Sequence, residues 1–333
     1  MCPIEALPNW RHAPRLYISC GPILGRAIYL PCGEARKSPE LEREVEMNIP
    51  WRVKSATFKL VDLFNAPRFL YFLQRHVTKR SRITQLGISD DWVRHGNTIN
   101  KYKASCRVFE FGAGKNLAQN LYLSDIIGTQ IVVDLNPMID LDLVNTARRL
   151  LSEKCQLRSN EEIDSIKDLT YYGIDYRAPY DASDTDFEDS SIDSCISTNT
   201  LEHIPRESIL EIFDELHRIL KPGGIISAKI DYSDHYAHTD PSISLLNFLK
   251  FSETEWKLFN HNCHYQNRMR HYDFIQIFDK LGFKIVEEEA TYDENKIPQE
   301  IADRFDTQPD TWAATSGYFV LMKDPIHHPF LKR

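Results

Sequence analysis

The densest group of potentially catalytic side chains lies in residues 231–240, which read DYSDHYAHTD. Three interpretations are open. First, His235 is a general base whose ring Asp231 or Asp234 orients, because an imidazole titrates near neutral pH. Second, the histidines and aspartates bind a divalent metal. Third, the carboxylates cap a helix that begins at Asp240-Pro241.

The spacing of the two histidines favours proton transfer over a metal. His235 and His238 are three residues apart in a predicted loop. The H-x-x-x-H spacing that places two ligands on one helix face is missing. We therefore predict no metal ligand in this chain.

Short apolar runs alternate with helical patterns from residue 107 onward. The predicted strands are 107–114, 129–136, 170–177, 192–199, 223–232, 283–290 and 318–323, and the predicted helices are 115–126, 140–155, 206–220 and 271–281. This alternation predicts an α/β fold, Rossmann-like and doubly wound, whose mostly parallel seven-stranded sheet has helices on both faces. The segment 231–240 then follows the fifth strand, at the carboxyl edge where such sheets bind ligands.

The first predicted strand runs into a glycine turn, EFGAGKN, at residues 110–116. Glycines let the backbone approach a ligand closely, and the following helix N-terminus offers free N–H groups. Asp134 ends the second strand twenty residues after Gly114, where an acid can accept hydrogen bonds from ribose hydroxyls. Asn116 stands where a dinucleotide fingerprint has its third glycine. The pattern predicts a nucleoside ligand.

Five motifs follow one another in order between residues 107 and 230. They are E-x-G-x-G at 110–114, the acid Asp134, GID at 173–175, LEHI at 201–204 and LKPGG at 220–224. On these motifs the segment resembles the class I S-adenosylmethionine-dependent methyltransferases, of the type 11 group. The resemblance implies a methyltransferase with S-adenosyl-L-methionine as its cofactor.

The resemblance also implies contacts to the methionine part of the cofactor. Gly112, Ala113 and Gly114 would pack under it, and Glu110 would support its amino end. Thr198 and Asn199, after the fourth strand, would line the site near the sulfonium.

Other matching positions would bind the nucleoside. Asp134 would hold the ribose hydroxyls, Leu135 would cover the adenine, and Asp175 would meet the adenine amino group with Tyr176 beside it. His203 has two interpretations, a general base or an organiser of its loop.

Residues 232–274 do not belong to the predicted sheet and are rich in aromatic, amide and guanidinium groups. Such groups suit polyhydroxylated or anionic acceptors. The predicted acceptor contacts are Tyr232, His235, Tyr265, Asn267, Arg268 and Arg270, with Tyr102 as a lid. The segment is similar to uncharacterised bacterial methyltransferases associated with surface-polysaccharide genes. This implies a small or glycan-linked hydroxyl acceptor; nitrogen, sulfur or carbon acceptors and a non-catalytic partner subunit are the alternatives.

Composition bounds the remaining possibilities. The 333 residues carry a net charge of −8, which argues against a nucleic-acid partner. Seven scattered cysteines without C-x-x-C spacing, and no predicted leader peptide or membrane span, favour a cytoplasmic protein. We expect an irregular and helical cap over 1–104 and the methyltransferase domain over 105–333. The basic stretch 52–82 is a cap face or a contact with a membrane or partner.

Overall fold

The computed structural model describes residues 49–64, 83–293, 298, 300–305 and 312–324. All of them belong to one compact unit, Met47–Arg333. The predictions for residues 1–48 and 65–82, including most of the basic stretch, lie outside the described residues. No helix in the described ranges is long and apolar enough to cross a membrane.

Seven strands form one sheet in the order β3-β2-β1-β4-β5-β7-β6. They are β1 Arg107–Phe111, β2 Thr129–Val133, β3 Ile174–Arg177, β4 Ile192–Thr198, β5 Leu220–Asp231, β6 Phe283–Tyr292 and β7 Ala314–Lys323. Only β7 is antiparallel to its neighbours. The chain order reverses between β1 and β4, so the predicted doubly wound sheet is confirmed, with its switch point beside the glycine turn.

Alternate residues of the strands send their side chains to opposite faces of the sheet. Val108, Val132 and Ile196 face helices α2 Asp90–Tyr102, α3 Ala118–Leu123 and α4 Leu141–Ser152. Phe109 and Ile131 face the opposite side, which is covered by α5 Arg206–Ile219 and by α7 His271–Lys280. The other α-helices among the described residues are α1 Trp51–Leu63 and the single turn α6 Glu253–Trp256. Both faces are therefore covered, as predicted.

The third strand is shorter than predicted. Residues Ile166–Tyr172 form a 3₁₀ helix that Gly173 ends with a φ of +70°. The strand therefore begins at Ile174, and its last pair with β2 joins Val133 to Arg177. This register decides which acid reaches the ligand edge.

The predicted helix start at Asp240 is wrong. The Asp240 carboxylate instead accepts a hydrogen bond of 2.8 Å from the backbone N–H of Trp51, at the start of α1. It also accepts one from the Ser242 N–H, which closes a turn. Asp240 thus caps a helix that is 189 residues away in sequence.

Two buried arginines fasten the segment 232–274. The Arg270 guanidinium donates to the main-chain carbonyls of Tyr232, Trp312 and Ala314. Arg268 donates to the carbonyls of Phe248 and Phe251 and pairs with Glu253. Both side chains are about 4% exposed. The structure therefore contradicts their predicted role in acceptor binding, because both side chains are buried and most of their donors bond to the fold.

Candidate active site

The glycine turn after β1 brings two loops together. Gly112, with a φ of +77°, donates its N–H to the carbonyl of Val133 at 2.9 Å. A Cβ at this position would overlap the side chain of Thr200, which follows β4. At Gly114, with a φ of +78°, no described atom lies within 4 Å of the place a Cβ would take. The turn therefore packs tightly on one side and leaves open space on the other.

A cavity of about 350 Å³ opens over this turn, at the carboxyl edge of the sheet. Its walls combine the ends of β1 and β2, the loop after β3 and the start of α5, including Gly112, Asp134, Leu135, Asp181, Thr200, His203 and Ile204. Such a cavity at the switch point is where doubly wound sheets bind nucleotides. The open backbone and the acid at its floor fit a nucleoside-containing cofactor.

Asp134 is buried at the cavity floor. The Tyr176 hydroxyl donates to its Oδ2 at 2.9 Å. Burial raises the pKa of Asp134, and the bond from Tyr176 opposes that rise. Tyr176 thus orients the carboxylate of Asp134. Leu135 is 66% exposed at the rim, where it can cover a flat ring.

The acid predicted to meet the adenine, Asp175, does not line the cavity. It pairs in register with Ile131, below the edge, and its carboxylate binds Arg177 at 2.8 Å. Asp181 stands in the cavity wall instead, four residues beyond the end of β3. Sequence reasoning missed Asp181. The lengths of the predicted strands could have indicated it. Because β3 must end level with β2, the residues that reach the ligand edge come from the loop after β3.

Glu110 lies beneath the glycine turn and does not line the cavity. Gln119 and Asn120 of α3 donate to its two oxygens at 2.9 and 2.7 Å. Burial raises its pKa to about 7, and the charge of Asp134 adds to the rise. The carboxyl group joins β1 to the following helix, which differs from the direct cofactor contact predicted for it.

Thr198 has a similar supporting position. Its hydroxyl donates to Gln119 Oε1 at 2.9 Å and lies 3.0 Å from Nε2 of His95, a buried residue of α2. Burial lowers the pKa of His95 to about 3, so its ring is neutral. Asn199 adopts a φ of +49° and donates its N–H to Lys229. The strained residue turns the chain so that Thr200 reaches the cavity.

A group of histidines and acids adjoins the cavity mouth. His203 lines the cavity, and its ring lies 4.8 Å from that of His235. His235 Nε2 is 3.3 Å from Asp231 Oδ2, although the pair does not have hydrogen-bond geometry. His203 Nδ1 lies 2.9 Å from the carbonyl of Tyr265, so Nδ1 carries the proton and Nε2 accepts. The structure therefore brings His203, Asp231 and His235 together.

Asp234, the other predicted partner of His235, faces inward. It accepts bonds from the Tyr236 N–H and the Asn247 amide. Burial raises its pKa to about 6. The structure places it in the fold of the loop, so Asp231 alone can orient His235.

Glu202 is a residue whose environment the sequence did not reveal. Its side chain is 2% exposed, and neither carboxyl oxygen has a partner with hydrogen-bond geometry among the described residues, although the backbone N–H groups of Glu202 and Asp231 lie near it. Burial raises its pKa well above the usual range, while the backbone N–H groups of Glu202 and Asp231 oppose the rise. Its carboxylate lies within 4.8 Å of the ligand atoms of His203 and His235.

Three other predicted acceptor contacts have structural partners. The Asn267 amide donates to the carbonyls of Leu201 and Ile204, which fixes the loop that carries His203. The buried Tyr232 hydroxyl lies 3.1 Å from Nδ1 of His271. Tyr265 contributes its carbonyl to His203, as described above.

The predicted lid residue Tyr102 is also misplaced. It ends α2 and donates to Glu287 in the middle of β6. His95, two turns earlier in the same helix, is the residue that reaches β4 and β5. Because α2 runs antiparallel to the strands, its C-terminal end lies away from the ligand edge.

The raised pKa of Glu110 makes stability depend on pH. The folded protein holds this proton more tightly than the unfolded chain, so the stability it gives is complete below pH 4.5 and is lost as pH rises to about 7. In Glu110→Gln nothing titrates there. We expect the unfolding free energy of the wild type to fall by roughly 3 kcal/mol relative to this variant between pH 4.5 and 7.5, measured by urea unfolding. The exposed Glu188→Gln should follow the wild type; parallel curves for wild type and Glu110→Gln would contradict the assignment.

One family model matches part of the chain. Residues 111–228 match the family model described as a methyltransferase domain. No curated protein matches the sequence. A putative methyltransferase from Bacillus halodurans is 13% identical, with a TM-score of 0.42, over 71% of this chain and 100% of that one.

Two further solved structures contain a bound ligand. The 1,6-didemethyltoxoflavin-N1-methyltransferase of Burkholderia thailandensis, with S-adenosylhomocysteine, is 10% identical over 85% of this chain and 93% of that one, with a TM-score of 0.43. Phosphoethanolamine N-methyltransferase 2 of Haemonchus contortus, with S-adenosyl-L-methionine, is 18% identical, with a TM-score of 0.41. The match covers 69% of this chain and 52% of that one. Residues 111–228 of the chain, which contain most of the ordered motifs, are therefore a methyltransferase domain.

Proposed function

We propose that this methyltransferase methylates a hydroxyl oxygen of a small polar or glycan-linked acceptor in the cytoplasm. The observation that carries the proposal is the position of His203, which lines the cofactor cavity and adjoins His235 and Asp231. A hydroxyl must lose its proton to attack a methyl group, whereas an amine can attack with its free lone pair. Imidazole and carboxylate groups at the cavity mouth supply proton acceptors where an oxygen acceptor needs them.

For the cofactor, we propose contacts that follow from the cavity walls. Gly112 and Gly114, with Ala113 between them, leave room for the methionine part, and Asp134 accepts hydrogen bonds from the ribose hydroxyls. Leu135 covers the adenine, and Asp181, in place of Asp175, meets its amino group. S-adenosyl-L-methionine, when bound, supplies a methyl group already activated on a sulfonium. The protein's task is then alignment and removal of the acceptor proton.

Helix α1 supports the proposal that the described part of the cap covers the acceptor side. Lys54 of α1 donates to the carbonyl of His235 at 3.0 Å. Asp62 accepts from the N–H groups of Asn262 and Cys263. Trp51 and Phe58 pack in one apolar cluster with the segment 232–274. The described part of the cap is thus joined to the acceptor segment.

Cofactor binding distinguishes Asp181 from Asp175. In calorimetry with S-adenosylhomocysteine, we expect Asp134→Ala to weaken binding about 100-fold, because it removes a charged acceptor for two hydroxyls. Asp181→Ala should weaken it about tenfold. Asp175→Ala is the matched control and should stay within about twofold of the wild type, since Asp175 binds Arg177. A loss for Asp175→Ala as large as that for Asp181→Ala would restore the placement predicted from sequence.

The methylated atom is tested with labelled cofactor. We expect polar metabolite and glycan fractions, incubated with the enzyme and deuteromethyl-labelled S-adenosyl-L-methionine, to yield a product whose label resides in a methyl ether by mass spectrometry and NMR. His235→Ala should lower kcat about 100-fold or more with unchanged S-adenosylhomocysteine affinity. His238→Asn, a half-exposed neighbour, should lose less than about threefold. A label on nitrogen, sulfur or carbon would sink the proposal.

A further inference from the structure

We propose that Glu202, His203, Asp231 and His235 together bind one divalent transition-metal ion at the mouth of the cofactor cavity. The site joins two loops, one after β4 and one after β5. The inference rests on the proposed function only for its catalytic meaning, since metal binding itself requires no acceptor. It reverses the expectation from sequence that this chain has no metal ligand.

The buried Glu202 carboxylate is the first observation. A carboxylate that is 2% exposed and has no hydrogen-bond partner among the described residues is costly to keep in the fold. A bound metal ion would stabilise this buried carboxyl group in its charged form. The imidazoles of His203 and His235 adjoin this carboxyl group. Their ligand atoms lie within 4.8 Å of the Glu202 oxygen.

The distance between His235 and Asp231 is the second observation. Their facing atoms are 3.3 Å apart but not aligned as a hydrogen bond, and His235 Nε2 is buried without another partner among the described residues. Two ligand atoms that each lie about 2.1 Å from one tetrahedral ion are separated by about 3.4 Å. The pair therefore has the separation of two ligands of one ion.

The surroundings hold the ligand atoms in the orientation that a metal requires. His203 donates from Nδ1 to the Tyr265 carbonyl, which leaves Nε2 without a proton. A bond from the second ring nitrogen to a carbonyl is the usual support for a metal-bound histidine. Asp231 Oδ1 accepts from the Ser233 N–H at 2.8 Å, so Oδ2 faces His235. Asn267 fixes the Glu202 loop by donating its N–H to the Glu202 carbonyl at 2.8 Å.

His238 adjoins the site, and a ligand atom of its ring lies within 4.8 Å of those of Asp231 and His235, but other contacts make it the weaker ligand. Its Nε2 lies 3.7 Å from Asp231 Oδ2 and only 2.8 Å from the Ser233 hydroxyl. Its side chain is also 47% exposed. His238 therefore provides a control histidine beside the proposed site.

The ligand types indicate the class of ion. Two imidazoles and two carboxylates suit Zn²⁺, Fe²⁺ or Mn²⁺, whereas Mg²⁺ and Ca²⁺ prefer oxygen ligands. Because His203 also lines the cofactor cavity, an acceptor in that cavity could add its oxygen as a fifth ligand of the ion. An ion in this position would polarise an acceptor hydroxyl and lower its pKa.

Metal titration tests the inference directly. The full-length protein is freed of metal with a chelator and titrated with ZnCl₂ by calorimetry, with melting temperature as a second readout. We expect one ion per chain and a rise of about 5 °C at saturating Zn²⁺. Glu202→Gln should weaken binding at least tenfold and remove most of that rise, whereas the exposed Glu188→Gln and the neighbouring His238→Asn should match the wild type. Unchanged S-adenosylhomocysteine binding shows that each variant is folded.

Three outcomes would overturn the site: no stoichiometric binding, equal binding by Glu202→Gln, or an equal loss in His238→Asn. The failures of the two proposals are distinguishable. Methyl-ether formation by a protein that binds no stoichiometric Zn²⁺ would overturn the metal site and leave the proposed function intact. One Zn²⁺ bound through Glu202, with the label on nitrogen or carbon, would overturn hydroxyl methylation and leave the site intact.

Discussion

The close contact between Gly112 and Thr200 is the constraint on which the site depends. Parallel strands β1 and β4 are neighbours, so the loops that follow them must share one edge of the sheet. A side chain at position 112 would overlap Thr200, and only a residue without a Cβ permits this approach. The contact keeps the loop after β4 beside the cofactor turn. Glu202 and His203 are thereby held at the cavity mouth.

The segment after β5 completes the site from the other side. Arg270 fixes it to β7 and to the end of β5, and Asn267 joins it to the loop after β4. Asp240 and Lys54 attach α1 to the same segment. These contacts explain why a stretch rich in polar and cationic side chains contributes so few of them to a ligand. Most of its hydrogen bonds fix the position of the segment relative to the loop after β4.

The sequence predicted the sheet well because strand–helix alternation and short crossovers leave few topologies. It also located Asp134, since the acid and the glycine turn belong to one βαβ unit. The error at Asp175 arose because a 3₁₀ helix replaced the expected start of β3 and changed which residues reach the edge. Counting the strand lengths against each other would have indicated Asp181.

The sequence could not predict the direction in which individual side chains point. Arg268, Arg270 and Tyr232 have residue types that suit a polar ligand, yet their partners are main-chain carbonyls and a histidine that lie far away in the chain. Tyr102 was misplaced because the direction of α2 relative to the strands depends on packing. Glu202 stood beside the predicted His203, but nothing in the sequence indicated that its carboxylate would be buried without a partner.

The central claim is that methyl transfer takes place where the cofactor cavity meets the histidines and acids of the β4 and β5 loops. A crystal structure of the enzyme with S-adenosyl-L-methionine tests it most directly. The account predicts the ribose on Asp134, the adenine between Leu135 and Asp181, and the methyl group facing His203 and His235 with no protein residue between them. A methyl group that points away from both histidines, or a nucleoside bound outside this cavity, would contradict it.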